Sequence, residues 1–396
     1  MPAASAPLPT PPPRLPSRSE TELRRRQRRG QLRVRTAAAF RQLVASAGLA
    51  EAYAATEVVV AANAEFSDLA SLHLSLGPSD PPIRLRDAEL DGVAALVLGS
   101  GGELVLPIGS APTAPERHGG AQVLARLLAG EQLAFRAGGE ATELQPRRAL
   151  QTELSLERIG AGRLVLARGI VENGLVAVST APGLLRSPLG PLLGPLGNGL
   201  VSCSGADSIG LAMPGLGLLG PGSPVLVAGG LGWVLGGGSG HQPRPQRQAS
   251  GHARGPGAVA ALSVDLHALD PRWLRACFFE GHGSALLVAV AAPIPLLNAK
   301  VAQAAAFSDR QLELPVLDLS VPRRVKPNLG WVSHEAARSG AITVKGQRVS
   351  TAPAYSPRLA AELAAELILR LEQGSFPLHV PPEPLTTRSA LVPLEG

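Results

Sequence analysis

Apolar runs of strand length recur along the chain, and glycine, proline and polar residues separate them. Such runs predict buried strands when turn residues bound them on both sides. The first is VVVAAN at 58–63, and VAALVL at 93–98 and ELVLPI at 103–108 follow it. Further strands are predicted at RLVLA, LVAVST, VLVA, AVAALSVDL and SALLVAVA, and KGQRV predicts a hairpin. The chain therefore contains many short strands.

Capping signals and helical periodicity occur between these strands. Ser19 and Glu22 form a capping box and Gly30 ends the segment, so SETELRRRQRRG predicts a short basic helix. The same signals predict a helix at 36–47, with Gly48 as its end. These two helices precede the first apolar strand.

Two further helices are predicted, at 119–131 and near the C-terminus. The second begins at Ser356 and Pro357 and ends at Gly374. One of its faces carries Leu359, Leu363, Leu367 and Leu371. This spacing is typical of an amphipathic helix that packs on a core.

The composition agrees with a fold rich in turns. Glycine (45 residues) and proline (37 residues) are frequent, while aromatic residues make up only 3% of the chain. The pattern predicts an α/β fold: a mixed sheet with flanking helices and many Gly/Pro-rich loops. We predict a main domain at 19–385, either one body or two lobes that meet near 182–224, with a disordered proline-rich tail at 1–18 and a C-terminal tail at 386–396.

Two long irregular regions have opposite character. The region 182–224 is rich in glycine and proline yet strongly apolar, unlike a flexible linker, so we expect an ordered loop near a functional site. The region 244–257, RPQRQASGHARGPG, predicts an exposed excursion from the domain.

Charge and cysteine content narrow the function classes. The net charge is +6, but the first 35 residues hold nine Arg against two Glu, so the rest is close to neutral and no nucleic-acid partner is expected. The uncharged stretch 208–243 contains too many glycines and prolines for a membrane-spanning helix. Two cysteines without a disulfide framework or metal-ligand spacing favour a cytoplasmic protein that has no metal site.

The glycine-rich segment VLVAGGLGWVLGGGSGHQP is the most conspicuous motif. Gly230 and Gly232 match the start of a dinucleotide fingerprint, but Leu235 occupies the third position and no helix is predicted after it. An NAD-type oxidoreductase is therefore disfavoured. Two interpretations remain: an anion-binding turn, with His241 as a donor or proton carrier, or a tight corner between strands with a solvated histidine.

Other polar residues are candidates for substrate recognition. Asp80 lies on the stiff turn SDPP, and Arg323 and Arg324 lie between prolines in VPRRVKP, where a rigid pair of cations suits a carboxylate. A turn cap and surface ion pairs are the alternatives. Cys203 in LVSCSGAD and Cys277 in WLRACFFEGHG are candidate thiols; the alternative, which is the commoner role of a cysteine, is a small buried apolar residue.

Eight segments carry a resemblance to a known family. They are SDPPIRL, HGGAQVLARLLAGE, PRRALQTELSLERI, GPLLGPLGN, VLVAGGLGWVLGGGSGHQP, DLHALDPRWLRACFFEGHGSALLVAVAAPIPLLN, SDRQLELPVLDLSVPRR and GQRVSTAPAYS. In this order they resemble the homocysteine biosynthesis (sulfur-incorporation) domain family over about residues 20–385. The resemblance covers nearly the whole chain.

The resemblance implies reductive incorporation of sulfide into aspartate semialdehyde to give homocysteine. It implies an external electron donor, an iron–sulfur protein of ferredoxin type, and no cofactor within the chain. It also implies cysteines shortly before SDPP and just before the Pro-Arg of PRRALQT. At these places the chain has Asp68 or a neighbour, and Leu144. The chain is therefore identified as a member that lacks the family's usual cysteines.

Two functional hypotheses follow. The first is a sulfurtransferase of homocysteine and methionine metabolism; the second is a non-catalytic or altered-activity paralogue that binds a small anionic ligand without sulfur transfer. The predicted site combines Cys203 and His241 as catalytic residues with Asp80, Gly229, Gly230, Gly232, Arg323 and Arg324 as substrate-binding residues.

Overall fold

The computed structural model describes residues 15–99, 101–109 and 117–388. The described residues form seven α-helices: α1 (Glu20–Arg28), α2 (Ala37–Ala55), α3 (Gly120–Leu128), α4 (Ile209–Ala212), α5 (Ala299–Ala305), α6 (His334–Arg338) and α7 (Pro357–Glu372).

The same residues form 22 strands. They are β1 (Val34–Thr36), β2 (Val58–Ser67), β3 (Ala70–Leu76), β4 (Leu85–Leu90), β5 (Val93–Leu98), β6 (Glu103–Pro107), β7 (Leu133–Gly139), β8 (Ala149–Leu154), β9 (Ile159–Val171), β10 (Val176–Val178), β11 (Gly183–Ser187), β12 (Gly190–Gly194), β13 (Asn198–Val201), β14 (Pro224–Val227), β15 (Gly230–Gly237), β16 (Val259–Asp265), β17 (Leu274–Phe279), β18 (Gly283–Pro295), β19 (Glu313–Asp318), β20 (Asn328–Ser333), β21 (Ala341–Val344) and β22 (Gln347–Pro353).

The strands form three sheets. The large sheet has the order β1-β2-β18-β14-β15-β16-β9-β3-β6-β5-β4-β7-β8, and β17 also pairs with β18. The small sheet has the order β20-β19-β10-β13-β22-β21, and β11 pairs with β12 in a separate hairpin. Most pairs are antiparallel, but β1 with β2, β10 with β19 and β13 with β22 are parallel. The predicted α/β fold with a mixed sheet is confirmed.

Three of the predicted helices form where the capping signals place them. Ser19 accepts a hydrogen bond from the Glu22 amide (3.2 Å) and begins α1. The leucine face of α7 is buried against β2 and β18, and each of its four predicted leucines is at most 3% exposed. Burying a leucine side chain contributes about 2 kcal/mol, so this face anchors the helix on the large sheet. The predicted helix end at Gly48 is confirmed: Gly48 is non-helical, with a positive φ of 83°, and a second helical segment that the pattern did not predict follows it within α2 up to Ala55.

The described end of the predicted tail contacts the domain, and the predicted exposed excursion at 244–257 is packed. Within the tail at 1–18, residues 1–14 lie outside the described residues, but Arg18 donates to the Thr56 carbonyl (2.6 Å) and lies over the Tyr53 ring. In the 244–257 segment, His252 is fully buried, and Arg247 donates to the fully buried Glu172 carboxylate at 2.6 Å. The prediction of an exposed excursion is therefore wrong. The ion pair between Arg247 and Glu172 holds the segment to the core, and it is needed because an unpaired carboxylate at this buried position would be very unfavourable.

The described ranges contain no helix that combines the length and the apolar character needed to cross a bilayer. Within the same ranges, no three His, Cys, Asp or Glu side chains come together in a group suited to a metal ion.

Candidate functional site

A cavity of about 290 Å³ lies where the large sheet meets the small sheet. The large sheet contributes the ends of β2, β9, β17 and β18, and the small sheet contributes residues next to β10, β13 and β22. The tip of the β11–β12 hairpin, Pro188 and Leu189, completes the wall. We call it the junction cavity. Its volume suits a small ligand, and a crevice between two structural layers is a common place for one.

Most polar side chains of the junction cavity are bound to other parts of the protein. Asn173 donates to the carbonyls of Ala253 and Glu313 at 2.7 and 2.8 Å. His282 Nε2 donates to the Arg186 carbonyl at 3.0 Å, and Ser202 Oγ accepts from the Leu175 amide at 3.0 Å. These groups shape the cavity, and their hydrogen-bonding capacity is used in doing so.

Arg168 reaches the junction cavity because β9 bulges at its position. Leu166 and Ile170 pair with Leu262 and Ala260 of β16, so residues 167–169 lie opposite a single residue. The bulge is held by a hydrogen bond from the Ser239 amide to the Ala167 carbonyl (2.7 Å). Bulges turn a side chain out of the regular alternation and often lie beside active sites. Here the bulge turns Arg168 towards the cavity.

The Arg168 guanidinium has no hydrogen bond or salt bridge to any described residue. Burial lowers the pKa of Arg168 below its ordinary value, and the charges of Glu65 and Asp68 oppose that shift. Both carboxylates therefore act on it from beyond ion-pair distance. An arginine that is partly buried without a partner keeps its donors free for a carboxylate or another anion.

Glu65 lines the same cavity from β2. Asn63 Nδ2 donates to its Oε1 at 2.7 Å, while Asn63 Oδ1 accepts from the Ile209 amide at 2.9 Å. Burial raises the pKa of Glu65 from 4.5 to about 7, against the hydrogen bond from Asn63 and the charge of Arg168. Asp68, in the turn after β2, is exposed at the cavity edge. The cavity thus combines one free cation, one exposed carboxylate and one carboxyl group that titrates near neutral pH.

The glycine-rich segment lies mainly outside this cavity. Ala228 and Gly229, both with positive φ, form a two-residue turn between β14 and β15, and no helix follows. A Cβ on Gly229 would lie 2.6 Å from the Trp273 ring, and one on Gly230 would lie 2.7 Å from Val264. Gly232 pairs with Val225 within the hairpin. These glycines allow close packing of backbone on side chains, which supports the interpretation as a tight corner.

The end of the segment lies beside Arg168 of the cavity wall. A Cβ on Gly240 would lie 3.4 Å from Arg168 Nη1. His241 is 7% exposed; its Nδ1 accepts from the Val259 amide (3.0 Å) and its Nε2 donates to the Thr386 carbonyl (2.8 Å). The solvated histidine of the corner interpretation is therefore wrong. Both ring nitrogens are bonded, and the catalytic role predicted for His241 stays a prediction.

The other predicted binding residues lie on separate loops. Asp80 is exposed before β4, and its carbonyl accepts from Arg147 Nη1 at 3.3 Å. Arg323 and Arg324 are exposed in the loop between β19 and β20. Neither Asp80 nor the two arginines are among the described residues that line the junction cavity. The structure does not bring the predicted pocket together, and the predicted binding roles stay predictions.

The two thiols lie off the cavity as well. Cys203 is 2% exposed, and burial raises the pKa of its thiol to about 12, with Glu65 nearby contributing in the same direction. It packs under Gly174, whose backbone lines the cavity. Cys277 is half-buried on β17, and burial raises its pKa too. A high pKa leaves little thiolate, so the predicted nucleophilic role of Cys203 has no support from its surroundings and stays a prediction.

Sequence reasoning missed Glu65 and Arg168. Each belongs to a strand whose apolar neighbours dominated the pattern, and no local signal distinguishes them from exposed charges. Two sequence features concern this cavity: Asp68 lies where the resemblance implies a cysteine, and the predicted ordered loop at 182–224 instead forms β11, β12, β13 and α4. Both contribute to the cavity wall.

Known proteins resemble this chain over most of its length. The family described as "Homocysteine biosynthesis enzyme, sulfur-incorporation" matches residues 32–378. An L-aspartate semialdehyde sulfurtransferase of Methanosarcina acetivorans is 30% identical over 339 residues, which are 84% of this chain and 65% of that protein. One of Methanocaldococcus jannaschii is 26% identical over 375 residues, 90% of this chain and 70% of that protein. The chain thus spans about two thirds of these relatives, and no solved structure matches it.

Proposed function

The chain belongs to the homocysteine biosynthesis family of sulfur-incorporating enzymes, and we propose that it joins sulfur to the aldehyde carbon of aspartate semialdehyde in the junction cavity. Two relatives bear the name L-aspartate semialdehyde sulfurtransferase. The substrate, the complete reaction and a cytoplasmic location are part of the proposal.

The observation that carries the proposal is the unpaired Arg168 guanidinium next to Asp68. Aspartate semialdehyde is an α-amino acid with a carboxylate, an ammonium group and a short aldehyde arm. In the proposed complex Arg168 binds the carboxylate and Asp68 binds the ammonium group, while the aldehyde extends towards Glu65. Hydrogen bonds to charged groups contribute about 1.5–3 kcal/mol each, enough to orient a molecule of this size.

Formation of homocysteine also needs two electrons after the sulfur has been attached. We assign them to an external iron–sulfur protein of ferredoxin type, because the family resemblance implies such a donor. The protein's own contribution is to bind the amino acid, to keep its aldehyde in one orientation and to shield the sulfur adduct from bulk water.

A second candidate function is ligand binding without sulfur transfer. One observation favours it: none of the described residues that line the junction cavity is a cysteine, and the buried Cys203 has a raised pKa. Under this alternative the same charges bind a small amino acid, and no product forms.

The test is a homocysteine assay on the purified full chain with aspartate semialdehyde, sulfide and a low-potential reductant. We expect homocysteine from the wild type and a fall in kcat/KM of roughly 10- to 150-fold for Arg168→Met. Arg163→Met is the matched control, since Arg163 is an exposed arginine on the same strand. It should leave kcat/KM unchanged.

Homoserine, in which an alcohol replaces the aldehyde, separates the candidates in a calorimetric binding experiment. No homocysteine with any reductant, together with homoserine binding that Arg168→Met abolishes, would overturn sulfur transfer in favour of the binding function. If neither the wild type nor Arg168→Met bound homoserine and no product formed, the junction cavity would be the site of neither candidate function.

A further inference from the structure

Glu65 is placed in the junction cavity so that one carboxyl oxygen is held and the other is free. Asn63 is 3% exposed and donates to Glu65 Oε1 at 2.7 Å, and its own oxygen accepts from the first amide of α4, Ile209. The carboxyl group is therefore oriented by a buried amide that is itself anchored. No described residue hydrogen-bonds to Oε2, which leaves this oxygen available to a ligand.

The position of Glu65 at the edge of a strand ladder explains its access to the cavity. β1 pairs with β2 only at residues 58–60, so β2 has lost this neighbour before Glu65. On that side Glu65 forms an isolated bridge with Tyr355, and on the other side it pairs with Val288 of β18. Its side chain thus leaves the ladder where the two sheets separate and the junction cavity opens.

The groups around Glu65 leave it as the best-placed proton carrier of the cavity. Arg168 is the facing cation, and Asp68 is the other carboxylate, exposed at the edge. His282 donates its Nε2 proton to a backbone carbonyl, which fixes that ring. The Cys203 thiol and the Tyr355 hydroxyl behind the wall both have raised pKa values because they are buried. At neutral pH neither of these two groups releases its proton readily.

We propose that Glu65 is a catalytic residue that gives its proton to the aldehyde oxygen when sulfur adds to the aldehyde carbon. This inference rests on the proposed function. In the step, hydrosulfide forms the new C–S bond, and the π electrons of the C=O bond move to oxygen. The oxygen takes the Glu65 proton, so that the products are the hydroxy-thiol adduct and the Glu65 carboxylate. No electron donor takes part, and Arg168 faces the carboxylate that forms.

Burial supports this role, since it brings the pKa of Glu65 to about 7 and both protonation states are populated near neutral pH. A general acid works best when its pKa lies near the working pH. The protonated form is the active one in the addition step. The rate should therefore fall as the pH rises through about 7, after correction for the ionisation of sulfide.

The addition step can be measured without a reductant, as the exchange between free aldehyde and sulfide adduct, by NMR on aspartate semialdehyde labelled with ¹³C at the aldehyde carbon. We expect Glu65→Gln to slow the enzyme-dependent exchange by at least about 100-fold and to remove its dependence on pH near 7. Homoserine affinity should stay within about threefold, because the Arg168 and Asp68 contacts remain. Glu65→Asp, which keeps the carboxyl group, should recover part of the rate.

Glu153→Gln is the matched control, since Glu153 is an exposed glutamate on β8, and its exchange rate should equal that of the wild type. Wild-type exchange with an unchanged rate and pH profile in Glu65→Gln would overturn the role of Glu65 and leave the proposed function intact. No enzyme-dependent exchange in the wild type, although homoserine binds, would instead reject sulfur addition itself.

Discussion

The glycine-rich hairpin of β14 and β15 and the junction cavity differ in how their polar groups are used. In the hairpin region both ring nitrogens of His241 are hydrogen-bonded to the backbone, and the Trp273 ring occupies the space where a side chain of residue 229 would lie. In the cavity the Arg168 guanidinium has no partner among the described residues, and Glu65 is bonded at one oxygen. The two regions therefore differ in the hydrogen-bonding capacity left for a ligand: both ring nitrogens of His241 are used within the protein, whereas Arg168 and one oxygen of Glu65 have no partner among the described residues.

The largest effect on stability is expected at the hairpin turn. Gly229→Ala should lower the free energy of unfolding by about 3 kcal/mol, because a side chain at φ 85° is strained and would overlap Trp273. Chemical denaturation measures this change. Gly217→Ala is the control, since Gly217 has a negative φ and an added Cβ would come no closer than 3.5 Å to Pro214. A stable Gly229→Ala protein that has lost homoserine binding would make the turn a ligand site.

His241→Leu tests the structural role of the histidine. The variant should lose about 2 kcal/mol of stability, because the Val259 amide and the Thr386 carbonyl lose their partner. Its kcat/KM should stay within about twofold of the wild type below its unfolding temperature. His379→Leu, at an exposed site, should change stability by less than about 0.5 kcal/mol. A stable His241→Leu protein with no activity would transfer the catalytic role to this histidine.

Glu65→Gln should stabilise the protein at alkaline pH. The pKa of Glu65 is raised from 4.5 to about 7, so the native state binds more protons than the unfolded chain between these values. Wild-type stability therefore falls as the pH rises through this window, by roughly 1–2 kcal/mol. Urea denaturation at pH 5 and pH 8 should show this loss in the wild type but not in Glu65→Gln.

Two buried histidines, present in both proteins, make the free energy of unfolding change with pH in the opposite direction. Burial lowers the pKa of His252 to about 4 and that of His334 to about 3, so each contributes stability that is lost as the pH falls below 6.5. Both proteins contain these histidines, so their contribution cancels when the free energy of unfolding of the wild type is subtracted from that of Glu65→Gln. If the free energy of unfolding changed equally with pH in the two proteins, Glu65 would be an ordinary solvated carboxyl group.

The smallest effect is expected for Cys203→Ala. Its thiol is buried and off the cavity, so stability should fall by about 1 kcal/mol and kcat/KM should change by less than about twofold. The homocysteine assay and denaturation measure both. Cys277→Ala is the companion variant. A loss of activity above about 100-fold in Cys203→Ala alone, in a folded protein, would return the sulfur chemistry to this thiol.

Local signals were sufficient for much of the fold. The capping serines at 19 and 356, the leucine face of α7 and the Lys345–Gly346 turn of the β21–β22 hairpin follow from periodicity and turn chemistry over a few residues. The predictions that failed depend on contacts between residues that are far apart in the sequence. Nothing within 244–257 reveals that Arg247 contacts Glu172, 75 residues away, so the local pattern predicts an exposed segment.

The amino-acid sequence by itself determined the family, the mixed α/β architecture and the exclusion of a dinucleotide fingerprint, because these depend on residue order and spacing. The proposed site depends on the folded chain. Residues 65 and 168 meet because two strands of a large sheet end beside a small sheet, and a bulge turns Arg168 into the opening. Burial shifts the pKa of both side chains, Arg168 has no partner among the described residues, and Glu65 keeps one oxygen unbonded. These are properties of the folded surroundings, which no local pattern encodes.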